Sequence, residues 1–206
     1  MRRLPRRAAA LVAAAAVLLR LPAALAEAGT PAAVVEGFHA ALLDAMRNAR
    51  ALGPRGRERR LRPAMQAAFD LPAMTRIAVG PPWTALAEGE RQALVSAFSD
   101  WVVATYANRF DGYAGESFAS EGESALQNGD RLVRTQLLRP NDAPVRLNYL
   151  LRGGEGRWRV VDIYLDGTVS ELATRRAEFT TLLREGGAER LVAELRRRTG
   201  ALLGGG

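Results

Sequence analysis

At 206 residues, 48% of them hydrophobic, the chain is long enough for one domain with its own core. It has no cysteine and one histidine, which excludes a disulfide framework and the usual zinc-ligand sets. Five of the 29 basic residues and none of the 22 acidic ones fall in residues 1–26, so the remainder carries only +2. That is too small a field to drive nucleic-acid binding.

Residues 1–26, "MRRLPRRAAALVAAAAVLLRLPAALA", combine a basic start, an apolar run from Ala8 to Leu19 and the small-residue site Ala24-Leu25-Ala26. This pattern predicts a secretory signal peptide and a periplasmic mature protein. The apolar run is shorter than the roughly 20 residues that span a bilayer. One domain is then expected over 27–200, with 201–206 as a flexible tail.

Thr30-Pro31 predicts a helix start, Thr as N-cap and Pro in the first turn. Val34, Val35, Phe38, Leu42 and Met46 continue it at helical spacing. "LGPRGRERRLRP" reads as a charged connection broken by Gly and Pro, and residues 64–79 as a helix broken at Pro72. From Glu88 to Phe110 runs the strongest helical pattern, with Leu94, Phe98, Trp101, Val102 and Tyr106 on one face and a weakly capped start at Ala87.

After Gly112 the period changes to two. "ESFASEGES", "RLVRTQLLR", "APVRLNYLLR" and "GRWRVVDIYLD" predict four strands whose short connections imply an antiparallel sheet. Val145, Leu147, Tyr149 and Leu151 alternate with Arg146, Asn148 and Arg152, so one face is wet. In the last strand Val161, Ile163 and Leu165 are expected opposite Trp158, Val160, Asp162 and Tyr164. Asp166-Gly167 makes a turn, and Thr168 to Glu171 reads as a capping box opening a helix. Glu171 and Arg175 are spaced for a helical ion pair. Gly186-Gly187 interrupt the helical pattern, which resumes towards the arginines at 196–198.

No catalytic set emerges. His39 reads as a structural histidine. Asp162 and Asp166 share a strand face, where a structural role outweighs acid–base work; Asp162 is the one group an enzyme reading would test. Serines lack a nucleophile elbow. Arg176 interrupts the stripe Leu172, Phe179, Leu183, and an unpaired buried guanidinium is costly. It must find a carboxylate, reach the surface along its stem, or meet an anionic group such as a lipid head at the mouth of an apolar pocket. Periodicity does not separate a filled core from a pocket. In the pocket reading, Phe98, Trp101, Val102 and Tyr106 face Val133, Leu137, Leu147 and Tyr149, with Val161, Ile163 and Leu165 beside Leu172, Arg176, Phe179 and Leu183.

"PVRLNYLLR" (144–152), "GRWRVVDIYLDG" (156–167) and "RRAEFTTLLREGGAERLVAEL" (175–195) resemble the MlaC family of periplasmic lipid carriers, also described as toluene-tolerance or ABC-transporter auxiliary proteins. Trp158, Asp162, Gly167, Arg176, Phe179, Leu183, Arg184, Gly186 and Gly187 fill the places of the family pattern. "DGTVSELATRRAEF" looks closest to the hopanoid-associated HpnM branch. The resemblance implies an α+β fold, helices packed around a curved antiparallel four-stranded sheet enclosing an apolar cavity. It implies a carrier without enzymatic activity or cofactor that shuttles phospholipid or hopanoid between inner- and outer-membrane complexes. The partners so implied are an inner-membrane lipid transporter of the ABC/MCE or RND type and an outer-membrane lipoprotein complex. The alternative is an accessory protein with a filled core that docks onto a lipid transporter and carries nothing.

Overall fold

The computed structural model describes residues 29–154 and 157–204; the signal-peptide expectation at 1–26 lies outside them. Helix α1 (Pro31–Arg47) begins as the sequence predicts, the Ala33 N–H donating to the Thr30 hydroxyl at 3.1 Å. Its buried stripe is Val35, Phe38, Leu42 and Met46, with His39 beside it.

The charged stretch expected as a connection is instead helix α2 (Ala49–Ala68). Two features hid it. Gly53, at φ 60°, breaks the path and lets Pro54 start a fresh first turn, where its missing N–H matters little. The inward face is also partly polar: Arg57 and Glu58 are buried with Leu61 and Met65. Arg57 donates to the Ala107 carbonyl at 2.6 Å and the Ala49 carbonyl at 3.1 Å, so its charge is spent on backbone acceptors. Pro63 lies on the exposed side, where water can satisfy the carbonyl it leaves free.

Helix α3 (Leu71–Val79) is capped by Asp70, which accepts from Ala73 N–H at 3.0 Å, and carries Pro72 in its first turn. After a 3-10 turn (Pro81–Ala85), helix α4 (Glu88–Arg109) opens with the Glu90 carboxylate accepting the Ala87 N–H at 2.7 Å. That contact satisfies the Ala87 N–H, while the alanine side chain offers the first-turn N–H groups no acceptor.

Strands β1 (Ser117–Ala125), β2 (Arg131–Arg139), β3 (Asp142–Gly154) and β4 (Arg157–Leu165) form an antiparallel meander. The sheet has five strands rather than the expected four. A two-residue β5 (Val169–Ser170) pairs back onto β4 through the turn at Asp166 and Gly167, both at positive φ. Such a turn matches the twist of a hairpin.

Helix α5 (Glu171–Gly204) follows directly. Its cap is Ser170, whose hydroxyl accepts the Ala173 N–H at 2.9 Å; Thr168, expected in that place, sits in the turn. Gly186 and Gly187 break the helical dihedrals midway. The expected tail is helical through Gly204, with Leu202 and Leu203 against the core. Asp162 accepts from the Ser170 hydroxyl at 2.6 Å and from Leu172 N–H at 3.4 Å, fastening the start of α5 to β4.

The helices lie on one face of the sheet, and the core between is a single cluster running from Val35 and Phe38 to Leu191 and Leu195. Among the described residues no helix is long and apolar enough to cross a membrane.

Candidate functional site: a pocket at one end of the sheet

Cross-strand pairing sets the site. Leu137 opposes Val145, and Leu147 opposes Leu165, so four apolar side chains gather near the ends of β2, β3 and β4. The facing helix α4 brings Phe98, Trp101, Val102 and Tyr106 at helical spacing. Between them is a pocket of about 610 Å³, in the range of small-molecule sites (roughly 300–1,000 Å³). Ile163 and Leu172 complete its apolar wall, with Met46 and Met74 from α1 and α3.

Of the fifteen residues the sequence nominates, Phe98, Trp101, Val102, Tyr106, Leu137, Leu147, Ile163, Leu165 and Leu172 line this pocket. The other six do not. Val133 and Tyr149 lie further along the sheet, buried under α1. Val161 occupies a β-bulge, where β4 slips between the pairs Leu150–Asp162 and Leu151–Val160. The slip puts Val160 in the main cluster and takes Val161 out of it, although both are buried. Phe179 is packed edge-on against Phe98 and Trp101 as part of the wall's backing. Leu183 is half-buried behind it.

Arg176 takes the surface route. Its stem crosses Gly80, and its guanidinium donates to the Ile77 carbonyl at 2.9 and 3.1 Å. The neighbouring Arg175 is the one at the pocket, its guanidinium 5.2 Å above the Trp101 ring and 3.8 Å from Glu171. The helical pair Glu171–Arg175, visible in the sequence, was the signal that could have found it.

Between the helical pattern ending at Phe110 and the strand pattern opening at Glu116, residues 111–115 carry no periodic signal. The segment 110–116 joins α4 to β1 and supplies Asp111, Gly112, Tyr113, Ala114 and Glu116 to the rim, with Phe110 buried among the lining residues. Tyr113 is 43% exposed and carries the Arg47 guanidinium 5.1 Å from its ring. With Arg109, Arg139 and Arg175, the polar groups stand at the rim and the apolar ones within. Burial pushes the Tyr106 hydroxyl well above the ordinary phenol range, with Arg109 opposing and Glu171 adding to that rise. It makes no hydrogen bond among the described residues, leaving a neutral donor at the pocket.

Under α1 the core of the helix–sheet layer is packed with aromatic rings, and a smaller groove remains at its edge. Phe38 packs edge-on with Phe69, Tyr106 and Tyr149. A 3.0 Å hydrogen bond joins His39 Nε2 and the Tyr149 hydroxyl, and Phe118 stacks on the imidazole at 3.7 Å. Burial lowers the His39 pKa from 6.5 to about 4, so the ring is neutral at pH 7. The groove beside it, of about 390 Å³, lies between α1 and β1. Among the described residues no group of His, Asp and Glu could hold a metal ion. Asp162, the group singled out for an enzyme reading, is spent on hydrogen bonds and does not line the pocket.

Helices packed on an open antiparallel meander define an α+β domain. The family model described as MlaC protein matches residues 36–197, and the chain belongs to that family. A solved structure with the same fold is the phospholipid-binding protein from Ralstonia solanacearum in complex with a phospholipid. It is 22% identical to this chain, with a TM-score of 0.72, and the match covers 82% of this chain and 97% of that one.

Proposed function

We propose that this chain is a periplasmic lipid carrier that takes a lipid tail into the pocket between α4 and the ends of β2–β4, leaving the headgroup at the charged rim. The observation that carries the reading is the division of the site: an apolar wall of about 610 Å³ beneath a rim of arginines and carboxylates. Membership of the MlaC family and the phospholipid-binding fold relative support it. Nominated residues on both faces meet at this wall, Trp101 and Val102 opposite Leu147 and Leu165.

The energetics fit a carrier. Each tail methylene moved out of water contributes about 0.8 kcal/mol, so one long chain suffices for tight capture. Release then requires a partner that deforms the pocket, in keeping with exchange at membrane transport complexes. The rim arginines favour a phosphate-bearing head over the uncharged head of a hopanoid.

Native mass spectrometry with lipid extraction, on residues 27–206 purified from the native periplasm, tests the proposal. A stoichiometric lipid adduct is expected, and its mass separates phospholipid from hopanoid. A protein that emerges without lipid and stays so after incubation with liposomes supports the docking accessory instead.

A further inference from the structure

We infer that the pocket rim selects a zwitterionic, amine-bearing phospholipid headgroup, with Arg109 and Arg175 holding its phosphate and Asp111 and Glu116 its ammonium. The inference rests on the carrier reading above and concerns the same pocket.

The charges at the rim carry it. Arg109, Arg139 and Arg175 line the opening together with Asp111, Glu116 and Glu171, so the rim is balanced and not basic. Some of these groups are committed elsewhere. Arg139 is turned onto the β2–β3 hairpin, donating to the Ala143 carbonyl at 2.7 Å and lying 3.4 Å from Asp142. Glu171 keeps Arg175 at 3.8 Å, but Arg175 reaches both it and Glu178 (4.0 Å) only beyond hydrogen-bond distance.

The rest have capacity to spare. Arg109 and Asp111 stand two residues apart and make no ion pair among the described residues. Glu116 accepts the Ala114 N–H at 2.6 Å and has a second oxygen free of protein partners among the described residues. Asp111 sits just past the C-terminus of α4, where the helix dipole adds to its negative charge, and Arg109 in the last turn makes no ion pair with it among the described residues. A ligand ammonium fits there as a counter-charge.

Guanidinium groups bind phosphate oxygens through paired N–H donors, and carboxylates bind only donors. An ethanolamine head offers one charge to each set. A glycerol head answers the arginines and leaves two carboxylates facing an uncharged diol. A polycyclic lipid with an uncharged head answers neither set.

The test incubates the full mature chain with vesicles of equimolar phosphatidylethanolamine and phosphatidylglycerol with identical acyl chains, read by native mass spectrometry. The ethanolamine adduct is expected to exceed the glycerol adduct by about tenfold, the scale of one charge-assisted contact. Asp111→Asn combined with Glu116→Gln should bring the ratio to about one by lowering the ethanolamine adduct, with the glycerol adduct not reduced. Arg109→Gln combined with Arg175→Gln should lower loading by both lipids. Equal loading of the wild type overturns the headgroup assignment and leaves the carrier reading intact. Loading by neither lipid overturns both.

Discussion

The two ends of the helix–sheet layer use similar residues to opposite effect. Under α1, Phe38, Phe69 and Tyr149 meet ring to ring and a hydrogen bond joins the buried His39 and Tyr149, so the core there is filled and only the smaller groove between α1 and β1 remains at its edge. Under the middle of α4, Trp101 and Val102 face Leu147 and Leu165 with a pocket between them. Both stripes have helical spacing and both strand faces alternate. Whether the two surfaces touch depends on what neighbouring elements add: α1 lays aromatic side chains over β2 and β3 at one end. At the other, segment 110–116 supplies a rim without filling the space.

The comparison is broken most severely at its filled end. Phe38→Ala should destabilise the fold by about 3–5 kcal/mol, because the aromatic neighbours cannot collapse into the space. Chemical denaturation measures it. A cost below about 1 kcal/mol contradicts the claim that this end is close-packed.

Next in size is a pH effect confined to the same end. The pKa of His39 is lowered from 6.5 to about 4, so the unfolded chain binds the proton first as pH falls. The contribution is fully present above pH 6.5 and is lost between there and about pH 4, amounting to about 3 kcal/mol. His39→Gln should flatten that part of the stability profile. An unchanged slope in the variant refutes the assignment.

Asp162→Ala acts between the two ends. It leaves the Leu172 N–H and the Ser170 hydroxyl without their acceptor and should cost about 1–3 kcal/mol in thermal or chemical unfolding. Residual lipid loading in the folded protein separates this fastening role from an essential pocket role.

The smallest effect sharpens the contrast between adjacent arginines. Arg176→Ala removes exposed contacts to the Ile77 carbonyl and should change stability by at most about 1 kcal/mol, with lipid exchange unaltered. Arg175→Ala, by contrast, should slow lipid uptake in a fluorescence transfer assay, since that side chain lines the pocket. Equal behaviour of the two variants contradicts the rim assignment.

Local chemistry made much of this fold legible in the sequence. The Thr30 cap, the α4 stripe, the four longer strands, the turn at Asp166-Gly167 and the break at Gly186-Gly187 each depend on residues close in the chain. The illegible parts depend on distant partners. Helix α2 needs the backbone carbonyls of Ala49 and Ala107 to bury Arg57, and no periodicity announces that. The bulge at Val161 shifts a strand face by one residue, which alternation alone extends the wrong way. Arg175 and Arg176 are one helical step of about 100° apart, and only the packing of α5 on α3 and α4 decides which meets the pocket.

The most direct test of the pocket uses its own tryptophan. Trp101 lines the cavity, whereas Trp83 and Trp158 do not. With Trp83→Phe and Trp158→Phe in place, the chain is loaded with a phospholipid brominated along its acyl chains, and Trp101 emission is compared with that on unbrominated lipid. Strong quenching by the brominated tail is the predicted result. Unquenched emission from a protein shown by mass to carry the lipid would mean that the tail lies elsewhere and that the open end of the sheet is not its site.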